Sequence, residues 1–456
     1  MCSLSLPIGK EMDRLHNFVG LVKNEYIKIY KKTSTRVLLV IFVAVVICYP
    51  GIMKLVNHIS MEEMNSYSND ISWKENIIQE DLYTLKNGED KSGLAQYKIE
   101  ALEAADINEQ WQFDAVMNIK TLNKADDKQE IQKLTMLMKT NDWRGYCKYR
   151  VDEPKTESDT WEMQYRLDHD IPFSGEEYAE ENKIIENVVN AMAGYTDYYQ
   201  STLSSTDQVI IGKYMLDNGI YENTSAKNSR LTSIDPYEKL TFWDVFIRTP
   251  FLVTGIGYIM LALAGSCVAN EFSQGTIKFL LINPVKRGKI FAAKYFTVIT
   301  MGLLLMLITL IISIPVTGIF FGFDGFTAPY LEVVKEDVVV KSSMIHMVKT
   351  YLIASVGMVI MSTMAFMISC LAKSSVLAII VGFIMSSVGA TISMIMSSFH
   401  IDWGRYLIFA NTDVLGIHNG TTSFPNQTMG VALVVIAVHM VVFLLTGWDA
   451  FTRRSI

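Results

Sequence analysis

The chain has 456 residues, 50% of them hydrophobic, and several runs of 18 or more residues carry almost no charge. Runs of that length cross a bilayer rather than fill a globular core, which excludes a purely soluble fold. The net charge of -7 hides a split: residues 57–248 hold 36 Asp/Glu against 20 Lys/Arg, and the remaining residues hold 11 against 20.

The opening residues, MCSLSLPIGKEMDRLHNF, do not read as a signal peptide. Charge interrupts them before the first apolar run, and no small-residue cleavage pattern follows that run. Met12 opens a more typical start, so Met1 and Met12 are both candidate first residues. Residues 1–36 form a cytosolic N-terminus. Within it, Phe18, Val22, Tyr26 and Ile29 share a helical stripe, with Lys23, Asn24, Lys28 and Lys31 elsewhere. A basic amphipathic helix beside a span predicts an interfacial helix on the inner membrane surface. A frayed start to the first span is the plainer alternative.

Residues 37–56 form the first transmembrane helix, with Pro50-Gly51 expected to kink its outer end. Residues 57–248 contain no span and are long enough for an independent domain. Helical spacing recurs at Ser72–Leu85, Asp127–Lys139 and Glu176–Met192, and Trp143–Val151 reads as a strand, so a helix-rich α+β extracellular domain is expected. Residues 249–456 hold five more spans, near 250–268, 291–322, 346–371, 376–399 and 430–448. The fold class is thus an α-helical integral membrane protein with six transmembrane helices and an extracellular domain. Lys/Arg cluster before the first span, between the second and third, at Lys373, and at Arg453 and Arg454. The positive-inside rule then puts both termini in the cytosol and residues 57–248 outside, in a multi-pass cell-membrane protein.

No chemistry announces itself. There is no GxxxxGK[ST] phosphate loop, no GxGxxG between a strand and a helix, and no CxxC. Cys48, Cys267 and Cys370 lie in or beside apolar runs, Cys2 is terminal, and Cys147 stands alone in the acidic region as a topology reporter. No acid or base sits near the centre of a span, which counts against ion-coupled transport. His439 is the intramembrane exception; it is a low-ranking site, equally explained by helix–helix hydrogen bonding. Ser374, Ala378, Gly382, Ser386 and Ala390 recur every fourth residue, a small stripe for close packing within the chain or across a dimer. Gly389, Ser393 and Ser397 form a second stripe.

The stretch Ala269–Lys294 stands apart. Glu271 falls at the inner end of the second span. Gly275 and Thr276 can break the helix and cap a short new one. Ile277–Ile282, with Leu280 and Leu281, gives an apolar ridge; Asn283-Pro284 stops it, and Lys286 and Arg287 form a basic edge. Such a segment suits docking into a partner's cleft. A surface turn obeying the positive-inside rule fits equally well on the residues alone.

The pattern Glu271, Gly275, Thr276, Leu280, Leu281, Pro284, Arg287, followed by Lys294, resembles the cytosolic loop of type-2 ABC transporter permeases. The tail FTRRSI resembles the end of that family's last span. The resemblance covers the membrane part; the large insertion between the first two spans occurs in only some members. It implies a permease subunit whose 269–290 loop is a coupling helix, with Glu271 anchoring its hinge and Lys286 and Arg287 meeting an ATPase or inner headgroups. It implies two copies of an ABC ATPase subunit, a second permease copy or homologous permease, and membrane lipids as partners, with no nucleic acid. ATP and Mg would sit on the ATPase; this chain would bind no cofactor and hydrolyse nothing. Residues 400–430 would form a re-entrant or external cap.

The expected function is the membrane path of an ATP-driven exporter for an amphipathic or hydrophobic cargo: an antimicrobial peptide, a drug or a lipid. A sodium-exporting permease and a mechanotransmission or sensing permease that moves its outer domain without cargo are the alternatives. A membrane-anchored enzyme or receptor is the third class.

Overall fold

The computed structural model describes residues 8–67, 70–88, 93–195, 203–225, 239–275, 285–372 and 374–453. Helix α1 covers Ile8–Lys31 and α2 Thr33–Tyr67. Then come α3 Asp70–Asn87, α4 Ala95–Ala104, α5 Gln110–Thr121, α6 Lys128–Lys139, α7 Trp143–Asp152, α8 Glu157–His169, α9 Ala179–Met192 and α10 Ser205–Asn218. After these follow α11 Phe242–Phe246, α12 Phe251–Cys267, α13 Ala269–Ser273 and α14 Arg287–Phe321. Strands β1 Pro329–Val334 and β2 Asp337–Ser342 precede α15 Ser343–Leu371, α16 Ser375–Ser398, α17 Val414–His418 and α18 Met429–Arg453.

The chain divides into two units: one of residues 1–54, 241–324 and 344–456, the other of 55–240 and 325–343. Among the described residues, six helical stretches are long and apolar enough to cross a membrane: Thr33–Met61, Phe242–Ser273, Arg287–Phe321, Ser343–Leu371, Ser375–Ser398 and Met429–Arg453. The protein is a multi-pass membrane protein. Its α14, at 35 residues, is about 52 Å long at 1.5 Å per residue, well beyond a hydrocarbon core of about 30 Å.

Two contacts fix what packs along α14. Lys54 Nζ donates to the Phe320 carbonyl at 2.7 Å, an ammonium reaching the last turn of α14. About 20 residues back along α14 lies Thr300, whose Oγ1 accepts the Tyr26 hydroxyl of α1 at 2.6 Å, so α1 packs against the N-terminal half of α14. On α1, Phe18, Val22, Tyr26 and Ile29 are all half-buried, the stripe that the spacing predicts. Helix α2 runs on through Pro50.

Of the small stripe, Ala378 is fully buried and Gly382 sits against Leu261 of α12 and Ala365 of α15, where a Cβ would meet the leucine at 3.3 Å. Ser386 is half-buried, while Ser374 and Ala390 are exposed; the Ser374 hydroxyl accepts Leu377 N–H and caps α16. The middle of the stripe therefore serves packing inside this chain.

Residues 399–428 are short helical turns, α17 among them, joined by irregular backbone, and buried amides hold several of its carbonyls. Asn411, with no exposed surface, donates to the Arg405 and Leu407 carbonyls at 2.8 Å each. Gln427 donates to the Ala410 carbonyl at 2.8 Å and to Asn411 Oδ1 at 3.1 Å. Irregular backbone at membrane depth needs such partners. The segment reaches the middle of α15 and α16: a Cβ on Gly357 would lie 2.5 Å from the Thr412 carbonyl, and one on Gly389 would lie 2.4 Å from the Phe409 ring.

Among the described residues of 70–218, the regular structure of the second unit is helices joined by short loops. One core gathers Trp111, Ile119, Ile131, Leu134, Tyr146 and Cys147. A second gathers Ile184, Val188, Ile211, Met215 and Leu331. The expected strand at Trp143–Val151 is instead helix α7. Asp142 caps it by accepting Gly145 N–H at 2.9 Å, and Tyr146 and Arg150, four residues apart, bond at 3.2 Å along one face. A short aromatic piece reads as a strand, but the buried set Tyr146, Cys147, Tyr149 and Arg150 follows period 3.6. The described strands lie elsewhere, in an antiparallel β1–β2 hairpin pairing Pro329 with Ser342 through Val334 with Asp337. Leu331 on β1 buries this hairpin against α9 and α10, and Thr224 N–H donates to the Pro329 carbonyl at 3.0 Å.

Candidate functional site at the helix break

The second crossing is broken between α12 and α13. A break strands backbone N–H groups, which must find other acceptors. Here Ser369 of α15, fully buried, accepts both: Val268 N–H at 3.0 Å and Ala269 N–H at 2.9 Å. Helix α13 then lasts five residues and stops at Gly275, whose φ of +70° suits glycine at a helix C-terminus.

Glu271 lies in α13 and is one member of a closed ring of four charges. Lys294 of α14, with no exposed surface, places Nζ 2.7 Å from Glu271 Oε1 and 2.8 Å from Glu25 Oε2 of α1. Lys28 of α1 closes the ring, 2.9 Å from Glu25 Oε1 and 3.1 Å from Glu271 Oε1. Signs alternate and sum to zero. Burial pushes the Glu25 carboxyl up, but the Lys294 ammonium, helped by Lys28, outweighs it and holds Glu25 below the usual carboxylate range. Buried ion pairs add little net stability, because desolvation offsets attraction. Their value is positional: each carboxylate accepts from two fixed cations, so α1, α13 and α14 are locked in one register.

Lys286 and Arg287 open the next helix. Arg287 Nη1 donates to the Thr452 carbonyl at 3.0 Å, placing a cation at the C-terminal end of α18. Gly288 lies under Trp448, where a Cβ would meet the indole at 2.3 Å, and Phe291 packs edge-on to Trp448 at 5.4 Å. The start of α14 is thereby clasped to the end of α18. Lys286 caps nothing through its side chain and is exposed. Thr276, Leu280, Leu281 and Pro284, the rest of the Ile277–Ile282 ridge, Lys373 and Arg454 lie outside the described residues. His439 Nδ1 is 2.8 Å from the Val435 carbonyl of its own helix, with its ring edge-on to Phe443.

Glu271, Gly275 and Lys294 belong to the loop pattern that the sequence offers, Lys294 as its basic close; Glu25, Lys28 and Ser369 do not. Glu25 was legible as an acid on the packed stripe of α1, three residues before a lysine. Ser369 was not, since it pairs with backbone a hundred residues away. Among the described residues no group of three His, Cys, Asp or Glu side chains gathers that could hold a metal.

A family model described as a protein of unknown function (DUF2705) matches residues 221–456. That stretch carries Glu271, Lys294 and Ser369, but not Glu25 or Lys28. The uncharacterized protein YhcI of Bacillus subtilis (strain 168) is 34% identical over 244 residues, covering 53% of this chain and 78% of that protein. The uncharacterized membrane protein YdbK of the same strain is 30% identical over 211 residues, covering 46% of this chain and 80% of that protein. No solved structure matches the chain.

Proposed function

The chain belongs to the DUF2705 family, and from that premise we propose that it is the permease subunit of an ATP-driven exporter of the type-2 ABC kind. The observation that carries the reading is the Lys294 ring. It ties Glu271, at the start of the 269–290 loop, to α1 and α14. A loop fixed in this way can pass a push from a partner to the crossings on either side; an unanchored surface turn would absorb it. In this reading a separate ATPase, present in two copies and holding ATP and Mg, docks on the loop and on α1. Both termini are cytosolic and the acidic unit is extracellular. A second permease copy completes the path, and the cargo is amphipathic or hydrophobic.

The decisive experiment is co-purification with an ATPase, followed by reconstitution. Glu271→Ala and Gly275→Pro should leave ATP hydrolysis running while transport stops, in protein that is still inserted. Full ATP-driven transport by both variants would end the coupling assignment.

A mechanotransmission reading has one observation in its favour. The acidic unit is built from two separate stretches, 55–240 and 325–343, so the chain passes between the units four times. Here ATP would move the outer unit with nothing crossing. Cargo flux into vesicles separates the two readings.

A further inference from the structure

The β1–β2 hairpin leaves one edge open. Along β1, Thr224 N–H donates to the Pro329 carbonyl and covers the start of that edge. The sheet has two strands, and among the described residues nothing hydrogen-bonds to the far side of β2. Yet β2 carries Asp337, Val338, Val339, Val340 and Lys341, a β-branched run that favours pairing. An open edge of this kind is a template for another strand. The pairing with β1 assigns the faces. Val338 and Val340 stand opposite Val333 and Leu331, on the face that packs against α9 and α10, but Val340 stays 51% exposed. Asp337, Val339 and Lys341 share the other face, and all three are exposed.

We propose that β2 pairs with β2 of a second copy of this chain, antiparallel about a two-fold axis at Val339. Charge complementarity within the strand selects this occupant. About that axis Asp337 lies opposite Lys341 of the second copy and Lys341 opposite its Asp337, while Val338 meets Val340 and Val339 meets Val339. Every position from 337 to 341 then faces its complement, and the exposed Val340 is covered. Moving the axis to Val338 or Val340 breaks both charge pairs at once. Among the described residues Asp337 has no ion pair within its own chain. Lys341 bonds Glu332 across the hairpin, so in the pair its ammonium sits between two carboxylates. The pairing rests on the exporter reading only for the presence of a second copy, and it needs neither an ATPase nor a cargo.

The test uses the full chain in isolated membranes, with Cys2 and Cys48 changed to Ser, and reads disulfide-linked dimer after oxidation by copper phenanthroline. Val339→Cys should link, because directly opposed Cβ atoms lie about 4.5–5.5 Å apart. Lys341→Cys should not link to itself, its two copies being about 14 Å apart along the strands. Asp337→Cys on one copy and Lys341→Cys on the other, produced together, should link to each other. Asp337→Lys added to Val339→Cys sets lysine against lysine and should abolish the link; adding Lys341→Asp as well should restore it. All these positions are exposed, so the variants fold. No dimer from Val339→Cys overturns the proposal. So does equal linking at 339 and 341, a link that ignores charge reversal, or a link to a different protein. A chain that is dimeric by mass yet unlinked at 339 meets its copy elsewhere, which overturns the hairpin pairing and leaves the exporter reading standing. Full ATP-driven transport by Glu271→Ala and Gly275→Pro does the reverse, so the two failures are distinguishable.

Discussion

Lys294 reaches Glu271 across the helix break at 2.7 Å with its own side chain fully withdrawn from solvent. Removing one member of such a pair leaves the other charge buried without its partner, at a cost of about 3–5 kcal/mol. Lys294→Met should therefore lower the thermal midpoint in detergent far more than Lys28→Met, since Lys28 is half-exposed. Adding Glu25→Gln and Glu271→Gln to Lys294→Met should recover most of the loss. If the triple variant were no better than the single one, the ring would not be what is lost.

The same ring predicts a pH dependence with a definite sign. Glu25 is held below its ordinary value of 4.5 in the folded protein, by Lys294 above all once burial is overcome. A depressed carboxyl adds stability that is fully present above the unfolded value and is lost as pH falls through the folded one. The gap in thermal midpoint between wild type and Glu25→Gln should be wide at pH 7 and close as pH falls through the lowered folded-state value of Glu25. A gap that stays constant across that range would place the Glu25 effect in packing rather than charge.

The membrane helices were legible because lipid leaves the backbone one choice. A run of about 20 apolar residues must pair its own N–H and C=O groups, so length and hydropathy suffice. Gly275 was legible for a local reason, since a glycine after a polar helix end is the usual stop. The ring was half legible. Glu271 stands at a span end and invites notice, but Lys294 only becomes meaningful once α1 is laid against α14. Helix α7 and the β1–β2 hairpin show the other limit. Trp143–Val151 is a short aromatic piece of the kind that suits a strand, yet Asp142 capping and the Tyr146–Arg150 contact decide for helix. Leu331 and its hairpin are specified by a surface on α9 and α10 that no local pattern announces.

Cys147 was a natural topology reporter from sequence, and burial changes its use. It has no exposed surface, and burial pushes its thiol up to about 12. At pH 8 roughly one thiol in ten thousand is then the reactive thiolate. Maleimide added to intact cells should leave Cys147 unmodified, and the thiol should react once the acidic unit is unfolded. Cys147 thus reports unfolding of that unit, and topology is better read from a cysteine placed at exposed Tyr83. Rapid modification of Cys147 in the folded protein would contradict the packing of α7 against Ile131 and Leu134.

Gly357 is the point where the irregular segment meets the middle of α15. A Cβ there would lie 2.5 Å from the Thr412 carbonyl, and the obstacle is backbone rather than a side chain that could swing away. Gly357→Ala must therefore move the segment or α15 itself, at a cost of about 1–3 kcal/mol. The strain should spread to the Asn411–Gln427 amide pair, whose hydrogen bonds hold the neighbouring carbonyls. Amide exchange at residues 410–412 should quicken in Gly357→Ala, and Asn411→Leu should reproduce the change without touching α15. Gly382→Ala offers the contrast: its nearest neighbour is a leucine methyl at 3.3 Å, which can yield, so the segment should stay protected. Equal protection in Gly357→Ala and Gly382→Ala would mean that the segment does not rest on α15 in solution.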